Sequence, residues 1–336
     1  MASLKQIAAE LGVSHVLVSR VLSGRMGTTG ASAATREAIL SKAKELDYQP
    51  NRVAVALKSG KRGVIGVFMH GMGMAGSDIT ITFLSSVSKA LERSSYRLWL
   101  RFFESDDEFI RAFDEKLQRD VDGLIVGGAE HPGLIGKLRQ IDDNGLPVVS
   151  VFCESPPSMA NTNVAVDYEA QCYLTTRHLL EMGCRRLAHF QVFDLRYRGF
   201  LRAHDEAGIP VQAELVVPRV PGEYPFYIED GERFTEQLIA SKVRFDGIVT
   251  ESDAQAVGAV GVLLRHGLRV PQDVRVTGVD DSPLALASAV PLTSTTTEMD
   301  TCGREAVERL VQKINGEDVS SLVIAPRLSI RASTMI

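Results

Sequence analysis

The spacing of apolar residues changes once along the chain and divides it into a head and a body. Over roughly the first fifty residues, apolar positions recur every three or four residues, which is typical of amphipathic helices. From residue 62 onward, short apolar runs alternate with amphipathic stretches, the pattern of βαβ units and parallel sheets. The runs that predict strands are residues 64–69, 97–102, 123–126, 148–152, 186–190, 247–250, 275–279 and 322–325. Eight such strands predict two doubly wound lobes rather than one barrel.

The head begins with the signals of a helix-turn-helix. Ser3 can cap a first helix by accepting a hydrogen bond from the amide of Gln6, whose side chain would reach back to complete a capping box. Gly12 supplies the left-handed residue that ends this helix, and Ser14 can cap a second one. Val18 has the spacing that anchors the second helix in the core of this motif. Two short helices joined by a tight turn are therefore predicted.

A third helix and a strong positive charge complete the head. The helix is capped by Ser32 or Thr35 and runs to about Asp47. Residues 1–62 contain ten Lys and Arg against four Asp and Glu, a formal charge of +6, which leaves −11 for the rest of the chain. A basic head on an acidic body indicates a module that binds a polyanion, attached to a part with another task. Together, charge and helix spacing favour DNA binding.

Composition excludes several other classes of protein. The 336 residues are 45% hydrophobic and 24% charged, which is average for a soluble globular protein of about two domains. The longest apolar runs fall far short of the ~18 residues that a membrane span needs, and the N-terminus lacks a signal-peptide core. The cysteines form no CxxC pair, and no His, Asp or Glu cluster has metal-ligand spacing. We therefore expect no metal, no cofactor and a reducing cytoplasmic location.

Three motifs of the head occur together in one known family. They are Leu4-Lys5-Gln6-Ile7-Ala8, Val18-Ser19-Arg20-Val21-Leu22-Ser23-Gly24 and Tyr48-Gln49-Pro50-Asn51-Arg52-Val53-Ala54-Val55-Ala56-Leu57. In these motifs the chain resembles the LacI/GalR family of bacterial repressors. The resemblance implies that the second helix lies in the major groove of operator DNA. The positions that it matches to DNA contacts are Ser3, Ser14, His15, Val16, Leu17, Ser19, Arg20, Asn51, Arg52, Ala54 and Leu57.

The resemblance gives some of these residues separate roles. It implies that Arg20 contacts a base, that Ser19 and Asn51 contact phosphates, and that residues 52–58 form a hinge helix. Leu57 of that helix would wedge into the minor groove and bend the duplex. Leu17 departs from the family, which usually has a threonine there, and could touch a thymine methyl group instead.

The resemblance continues through the body and implies a periplasmic-binding-protein-like fold of type I. It rests on motifs that include Val121-Asp122-Gly123-Leu124-Ile125, His178-Leu179-Leu180 and Gly278-Val279-Asp280-Asp281-Ser282-Pro283. The predicted fold class is α/β, with a small all-α head and a two-lobed body of parallel sheets. The predicted domains are the head at 1–50, a hinge helix and linker at 51–61, and an effector-binding and dimerisation domain at 62–336. Within the body, lobe 1 is expected at 62–162 and 292–322 and lobe 2 at 163–291 and 323–336, with crossings near 161–163, 290–293 and 321–324.

The family resemblance also implies an effector site between the lobes. Arg196, Ser252, Asp253 and Asp280 match effector contacts of the family, and Asp78 is placed with them at the end of the loop after the first strand. Charged groups of this kind make strong hydrogen bonds to ligand hydroxyls, as a carbohydrate-like ligand would require. The alternative interpretation is that Arg196 and Asp280 merely pair with each other.

Two departures at this site bear on the kind of ligand. Phe152 stands where the family usually has a polar residue, and the loop at 190–196 is short. Both features favour a partly apolar ligand, or one that reaches further into lobe 1.

A second hypothesis, from another class of protein, is an NAD(H)-binding regulator or dehydrogenase. Gly71-x-Gly73-x-x-Gly76 follows a predicted strand and Glu104 closes the next, as in a dinucleotide fingerprint. The spacing from Gly76 to Glu104 exceeds the ~20 residues expected, and the helix begins too late for the third glycine. A hydrolase finds no support, because the chain has no GxSxG elbow. The sequence favours a homodimeric regulator that is not an enzyme and binds two-fold operator DNA and a small-molecule effector.

Overall fold

The computed structural model describes most of the chain in two compact units, Met1–Arg62 and Gly63–Ile336. The described residues are 3–22, 30–48, 62–70, 78–103, 105–112, 117–127, 132–152, 162–218, 220 and 225–335. Several predicted residues lie outside these ranges: Asn51, Arg52, Ala54 and Leu57 of the hinge, and Gly71, Gly73, Gly76 and Glu104 of the dinucleotide hypothesis.

The described residues of the head form three helices around a small apolar core. They are α1 (Leu4–Leu11), α2 (His15–Leu22) and α3 (Ala33–Glu45). As predicted, Ser3 Oγ accepts a hydrogen bond from the Gln6 amide at 3.1 Å, and Gly12 ends α1 with a φ of +63°. The side chain of Gln6 does not close the predicted capping box, because it turns forward and donates to Glu10. Ser14 caps the first turn of α2. The core contains Ile7, Ala8, Val18, Val21, Ile39 and Ala43.

Lobe 1 of the body is built on a six-stranded sheet in which every pair of neighbours is parallel. Its strands are β1 (Val64–His70), β2 (Arg97–Phe103), β3 (Gly123–Gly127), β4 (Val148–Val151), β5 (Thr162–Val166) and β11 (Leu322–Ile324), in the order β11-β5-β4-β3-β1-β2. Its helices are α4 (Asp78–Arg93), α5 (Asp106–Ala112), α6 (Pro132–Asp143) and α12 (Met299–Ile314). A parallel sheet covered by helices on both faces needs apolar strands, and β3 and β4 are buried along their whole length.

Lobe 2 has a second six-stranded sheet with one antiparallel pair at its edge. Its strands are β6 (Leu187–Phe190), β7 (Val216–Val217), β8 (Gly247–Val249), β9 (Arg275–Asp280), β10 (Thr293–Thr296) and β12 (Leu328–Ser329), in the order β12-β10-β9-β8-β6-β7. Only β10 and β12 run antiparallel among these pairs. The helices are α7 (Tyr168–Glu181), α8 (Asp194–Ala207), α9 (Ile228–Ser241), α10 (Asp253–Arg265) and α11 (Pro283–Ala287).

The chain passes between the two sheets three times, a few residues later than the sequence predicted at two of the three places. It leaves lobe 1 after Val166, returns after Thr296 and leaves again after Ile324. Residues 162–166 belong to lobe 1 because β5 pairs with β4 and β11, and residues 293–296 belong to lobe 2 because β10 pairs with β9. The boundaries between the lobes therefore lie after Val166, Thr296 and Ile324, instead of at the expected 162/163, 291/292 and 322/323.

Among the described residues the eight predicted strands are present, and four further strands escaped the sequence analysis. The missed strands are β5, β7, β10 and β12. β10 has the sequence Thr-Ser-Thr-Thr and its first three residues are buried, so no apolar run marks it. β4 ends at Val151, one residue earlier than predicted, because Phe152 has a φ of +60° that a strand does not allow.

Two helix pairs of lobe 2 pack backbone against backbone at glycines. A Cβ atom added to Gly199 of α8 would lie 2.0 Å from the carbonyl oxygen of Glu169 on α7. A Cβ atom on Gly231 of α9 would lie equally close to the carbonyl oxygen of Gln255 on α10. Since backbone atoms cannot yield as a flexible side chain does, these contacts fix how closely the helices approach.

We expect Gly199→Ala to lower the free energy of unfolding by about 1–3 kcal/mol, because the methyl group forces α7 and α8 apart. Gly136→Ala is the matched control, since a Cβ there meets nothing within 4 Å on α6. It should raise stability by about 0.5–1 kcal/mol through its higher helix propensity. Denaturant unfolding of both variants measures the difference, and equal stabilities would contradict the close packing at Gly199.

Candidate functional site

Charged side chains of lobe 2 gather beyond the carboxyl ends of its strands. Arg196 lies in the first turn of α8 after β6, Glu251 follows β8, and Asp280 ends β9. This edge of an open α/β sheet is where ligands bind, because the loops there can vary while the strands stay fixed. The guanidinium Nη1 of Arg196 donates a hydrogen bond to the carbonyl oxygen of Glu251 at 2.7 Å. We take this group as the candidate effector site.

Arg196 is held in a fixed orientation by polar and aromatic partners. Its side chain is buried, and its Nε donates to Oε1 of Gln171 on α7 at 3.1 Å. The guanidinium carbon lies 5.2 Å from the ring centroid of Tyr168 and 5.1 Å from that of Phe193. These two rings stack on each other with centroids 5.6 Å apart. Cation–π contacts strengthen when the ion is removed from water, so the rings help to keep a buried cation in place.

Arg196 and Asp280 influence each other without forming an ion pair. No described contact within 4 Å joins the guanidinium to the Asp280 carboxylate, and the described bonds of Arg196 go to Gln171 and Glu251. Enclosure by protein and the neighbouring Asp253 carboxylate raise the pKa of Asp280 well above its usual value, while the positive charge of Arg196 opposes that rise. The interpretation in which Arg196 and Asp280 simply pair therefore lacks support from the described geometry.

The turn that carries Asp280 is strained and is held by Asp253. Asp280 and Asp281 have φ values of +120° and +50°, a region that L residues avoid and that is concentrated at functional sites. Asp253 Oδ2 accepts hydrogen bonds from the amide and hydroxyl of Ser282, and Oδ1 accepts one from Ser294. Burial raises the pKa of Asp253 to about 6. Both carboxylate oxygens are thus engaged within the lobe, so Asp253 supports the turn instead of presenting itself to a ligand.

The other two predicted effector residues are Ser252 and Asp78. The hydroxyl of Ser252 makes its hydrogen bonds within lobe 2, and the side chain of Asp78 is not among the described parts of the structure. The hydroxyl of Ser252 accepts from the Gln255 amide at 3.0 Å, as the cap of α10, and donates to the carbonyl oxygen of Phe226 at 2.8 Å. Its single donor is therefore used inside lobe 2. Asp78 is the first residue of α4, and its side chain is outside what the structure describes. Arg196 and Asp280 are the predicted pair that the fold brings to the strand ends.

Phe152 has a different role from the one predicted for it. Its side chain is buried in the core of lobe 1, where it meets Phe83 edge-on with ring centroids 4.8 Å apart. Its carbonyl oxygen accepts a hydrogen bond from the hydroxyl of Tyr168 at 3.1 Å. Because Tyr168 opens α7 of lobe 2, this bond joins the two lobes next to the first crossing. Phe152 thus offers a ligand no apolar side chain here, and its backbone ties Tyr168 to lobe 1.

Sequence analysis missed a buried pair, His189 and Glu251. Both side chains are fully buried, and Nε2 of His189 lies 3.1 Å from Oε1 of Glu251. The other carboxylate oxygen accepts a hydrogen bond from the Phe193 amide at 2.8 Å. A signal was present, because His189 interrupts an otherwise apolar strand and Glu251 directly follows another. In this way Glu251 contacts both Phe193 and Arg196.

The predicted DNA-contacting residues of α2 divide into an exposed and a half-buried group. His15, Val16 and Arg20 are exposed, and Val16 is 42% exposed although it is apolar. Ser19 is half-buried. Leu17 is also half-buried and packs against the core of the head, which accounts for its apolar character without a contact to thymine.

Within the described ranges, no group of three or more His, Cys, Asp or Glu side chains could hold a metal ion. None of the described helices combines the length and apolar character that crossing a membrane requires.

The head and the body each match a known family model. Residues 3–51 match the model of bacterial regulatory proteins of the lacI family, and residues 176–334 match the periplasmic binding protein-like domain. A helix-turn-helix head together with such a two-lobed body defines a DNA-binding transcriptional regulator.

The similar proteins extend this match to nearly the whole chain. The HTH-type transcriptional repressor PurR of Haemophilus influenzae (strain PittEE) is 30% identical over 352 residues, which cover 99% of this chain and 98% of that protein. The chain belongs to the LacI family of bacterial regulatory proteins. The ribose operon repressor of Halalkalibacterium halodurans is 28% identical over 99% of this chain and 97% of its own length.

Solved structures show the same fold. The transcriptional regulator CelR in complex with cellobiose superposes with a TM-score of 0.73 and 26% identity, and covers 99% of this chain and 100% of its own. The Lac repressor dimer bound to operator and the anti-inducer ONPF gives a TM-score of 0.80 at 21% identity, with 100% and 99% covered.

The dinucleotide hypothesis is not supported by these comparisons. The matching models are those of lacI-family regulatory proteins and a periplasmic binding protein-like domain, and the relatives named above are repressors. The glycine motif at 71–76 and Glu104 lie outside the described residues, so no described geometry speaks for a pyrophosphate site.

We expect Tyr168→Phe to lower the free energy of unfolding by about 0.5–1.5 kcal/mol, because it removes the hydrogen bond to Phe152 and keeps the ring that stacks on Phe193. Tyr173→Phe is the matched control, since its hydroxyl contacts the exposed Glu206 at the surface of lobe 2. That variant should lose less stability. Calorimetry of the two variants makes the comparison, and a loss no larger in Tyr168→Phe would show that the contact between lobes contributes nothing.

Proposed function

We propose that this protein is a repressor whose affinity for a two-fold operator is set by a small molecule bound between its lobes. The observation that carries this proposal is that Arg196 of α8 and Asp280 of a strained turn both lie at the carboxyl ends of lobe 2 strands, in a chain whose head matches a DNA-binding family. Its relatives are transcriptional repressors, which supports a role in regulation rather than in catalysis. We place its action in the cytoplasm, where bacterial DNA lies.

The DNA contacts are proposed to come from α2 and the segment after the head. His15, Val16 and Arg20 are exposed on α2, which fits insertion into the major groove, with Ser19 beside them. Ser3 and Ser14 cap the two helices and have exposed positions near the same motif. For the hinge the proposal rests on the resemblance alone: Asn51 contacts a phosphate, Arg52 and Ala54 belong to the hinge helix, and Leu57 enters the minor groove.

We propose that two copies of the chain associate and so match a two-fold operator. Lobe 1 exposes apolar side chains on neighbouring elements, namely Ile81 of α4 and Leu98 and Phe102 of the edge strand β2. Lobe 2 exposes Leu284 and Leu286 on α11. Such apolar surface on an edge strand and nearby helices is suited to burial against a second copy. The Lac repressor neighbour is described as a dimer on its operator, which agrees with this proposal.

The effector is proposed to be a carbohydrate-like molecule with an apolar face. Arg196 uses two of its five N–H groups on described partners, which leaves donors for ligand hydroxyls or acids. Phe193 stacks on Tyr168 and meets Phe226 at 5.3 Å, and together the three rings offer apolar surface to a sugar ring. A ribose operon repressor and a cellobiose-bound regulator among the similar proteins are consistent with a ligand of this class.

We expect Arg20→Ala to weaken binding to an operator selected from random DNA by ~1–3 kcal/mol and to relax specificity at one base pair of each half-site. Lys44→Ala is the control, because Lys44 is an exposed cation on α3 instead of α2. Titration of labelled operator and of random DNA at one salt concentration separates the roles. An equal loss on both DNAs would assign Arg20 to phosphate contacts.

We expect Arg196→Ala and Asp280→Asn each to abolish the effect of a ligand on operator affinity while leaving ligand-free DNA binding nearly unchanged. A thermal-shift screen that includes ribose and cellobiose identifies the ligand, since saturation at about 100 times the dissociation constant adds ~2.7 kcal/mol. Asp273→Asn is the control, because Asp273 lies in an exposed ion pair with Arg269. If the operator affinity of Arg196→Ala and of Asp280→Asn still changes with the ligand as in the parent, the effector site lies elsewhere.

A further inference from the structure

Gln171 of α7 lies between the candidate effector site and the second crossing, and its side-chain amide reaches both. The residue is fully buried. Its Oε1 accepts a hydrogen bond from Nε of Arg196 at 3.1 Å, and its Nε2 donates one to the carbonyl oxygen of Thr296 at 2.9 Å. Arg196 belongs to the site proposed for the effector, whereas Thr296 is the last residue of β10 before the chain returns to lobe 1. One amide group therefore contacts both the site and a crossing.

The chemistry of the two partners allows this amide a single orientation. A guanidinium group can only donate a hydrogen bond, and a backbone carbonyl can only accept one. If the amide turned over, its NH2 group would face the Nε–H of Arg196, and its oxygen would face the carbonyl oxygen of Thr296. Both hydrogen bonds would then be lost together, at a side chain that is shielded from solvent. A movement of either partner is therefore opposed by the cost of leaving a buried polar group unsatisfied.

Three residues around the second and third crossings form a cluster with Thr296 at its centre. We call Thr296, Glu298 and Arg327 the crossing cluster. The Thr296 amide donates to the carbonyl oxygen of Arg327 at 2.9 Å, and the Arg327 amide donates to Thr296 Oγ1 at 2.9 Å. Oε1 of Glu298 accepts from Thr296 Oγ1 at 2.9 Å and lies 2.8 Å from Nη2 of Arg327. Because Glu298 is the N-cap residue of α12, the cluster connects the end of β10 in lobe 2 to a helix of lobe 1.

A ligand at the effector site acts on this amide through Arg196. The Nε atom of Arg196 carries a single hydrogen, and that hydrogen is given to Gln171. A ligand that draws the guanidinium toward itself must therefore weaken this hydrogen bond or move the Gln171 side chain with it. Because the amide binds Thr296 in one orientation only, the same displacement changes its contact with the crossing cluster.

We propose that Gln171 is a positioning residue that links Arg196 to the crossing cluster, so that the effector site and the two crossings change their structure together. This rests on the proposed function, because a ligand at Arg196 is what would use the link. The link itself is a property of the protein without ligand. Removing the Gln171 amide or the Arg196 guanidinium should each loosen the crossing cluster. Removing both should loosen it little further, because the two groups act through the same contact.

The test is hydrogen–deuterium exchange of the full chain without ligand or DNA, resolved to the backbone amides of Thr296 and Arg327. Gln171→Met nearly preserves the length of the side chain and removes both of its polar ends. Protection of the two amides should fall about tenfold in this variant, as expected when a buried hydrogen bond is lost. The internal reference is the Asp246 amide, which donates to the carbonyl oxygen of Arg186 at 3.0 Å at the opposite, amino ends of β6 and β8. Its protection should stay as in the parent.

A double-mutant cycle shows whether Arg196 reaches the cluster through Gln171. Arg196→Met should lower the protection of the same two amides by a similar factor. The double variant should resemble the more affected single variant, whereas two independent losses would multiply to about a hundredfold. Gln237→Met is the matched control, since Gln237 is an exposed glutamine of α9, and it should leave both amides unchanged. Arg196→Lys, which keeps the charge and removes the Nε–H, takes the place of Arg196→Met if that variant does not fold.

Unchanged protection of the two amides in Gln171→Met, an equal loss at Asp246, or losses that multiply in the double variant would each overturn the proposal. The ligand is tested separately, by thermal shift with ribose and cellobiose. Should the amides respond as expected while neither sugar binds, the proposed ligand class fails and the link stands. Should a sugar bind and change operator affinity as strongly in Gln171→Met as in the parent, the link fails and the proposed function stands.

Discussion

A guanidinium ion that leaves water must find hydrogen-bond acceptors, and the cleft side of lobe 2 is arranged around that requirement for Arg196. Gln171 and the backbone of Glu251 supply the acceptors, and the rings of Tyr168 and Phe193 lie close to the ion, with centroids 5.2 and 5.1 Å from the guanidinium carbon. Gln171 and Tyr168 belong to α7, Phe193 directly precedes α8, and Glu251 follows β8, so satisfying one charge fixes the positions of α7, α8 and the end of β8 together. Gln171 extends this to the second crossing, because its Nε2 donates to the carbonyl oxygen of Thr296.

These contacts place the ligand-binding chemistry beside the segments about which the lobes would move. Tyr168 follows the first crossing and bonds to lobe 1, while Thr296 precedes the second. A ligand shifts a conformational equilibrium only by the difference in its affinity for the two states. Closure of the lobes changes the geometry of contacts at the crossings more than it changes the geometry of groups deep within one lobe. A ligand that touches the crossings can therefore bind the two states with different affinities. Helix pairs that meet at Gly199 and Gly231 resist internal adjustment, so each lobe is expected to respond as a unit.

The fold class and the head could be predicted from sequence because both depend on strong local signals. Capping serines, a left-handed glycine and apolar spacing act over a few residues, and the eight predicted strands are apolar enough to be found. β10 was missed because it has hydroxyl side chains where apolar ones were sought, and Thr293 and Ser294 are buried through hydrogen bonds to distant residues, such as that from Thr293 Oγ1 to the carbonyl oxygen of Arg331. No local pattern reports such partners, and the lobe boundaries were misplaced for the same reason.

In the candidate site, too, the sequence predicted which residues lie at the strand ends but not which partners they contact. Motif position placed Arg196 and Asp280 at the strand ends, but it could not show that Asp253 is occupied by Ser282 and Ser294. It also could not reveal that Glu251 meets His189, because 62 positions separate the two residues in the chain.

The three crossings also govern how the protein can be made. The ribosome completes α1, α2 and α3 within the first fifty or so residues, and these helices have a core of their own. Lobe 1 lacks α12 and β11, and lobe 2 lacks β12, until synthesis has passed residues 314, 324 and 329. Both sheets therefore keep open edges and uncovered apolar faces for most of translation, a state that invites aggregation and assistance by chaperones. A nascent chain released early would carry these three helices without either complete lobe of the body.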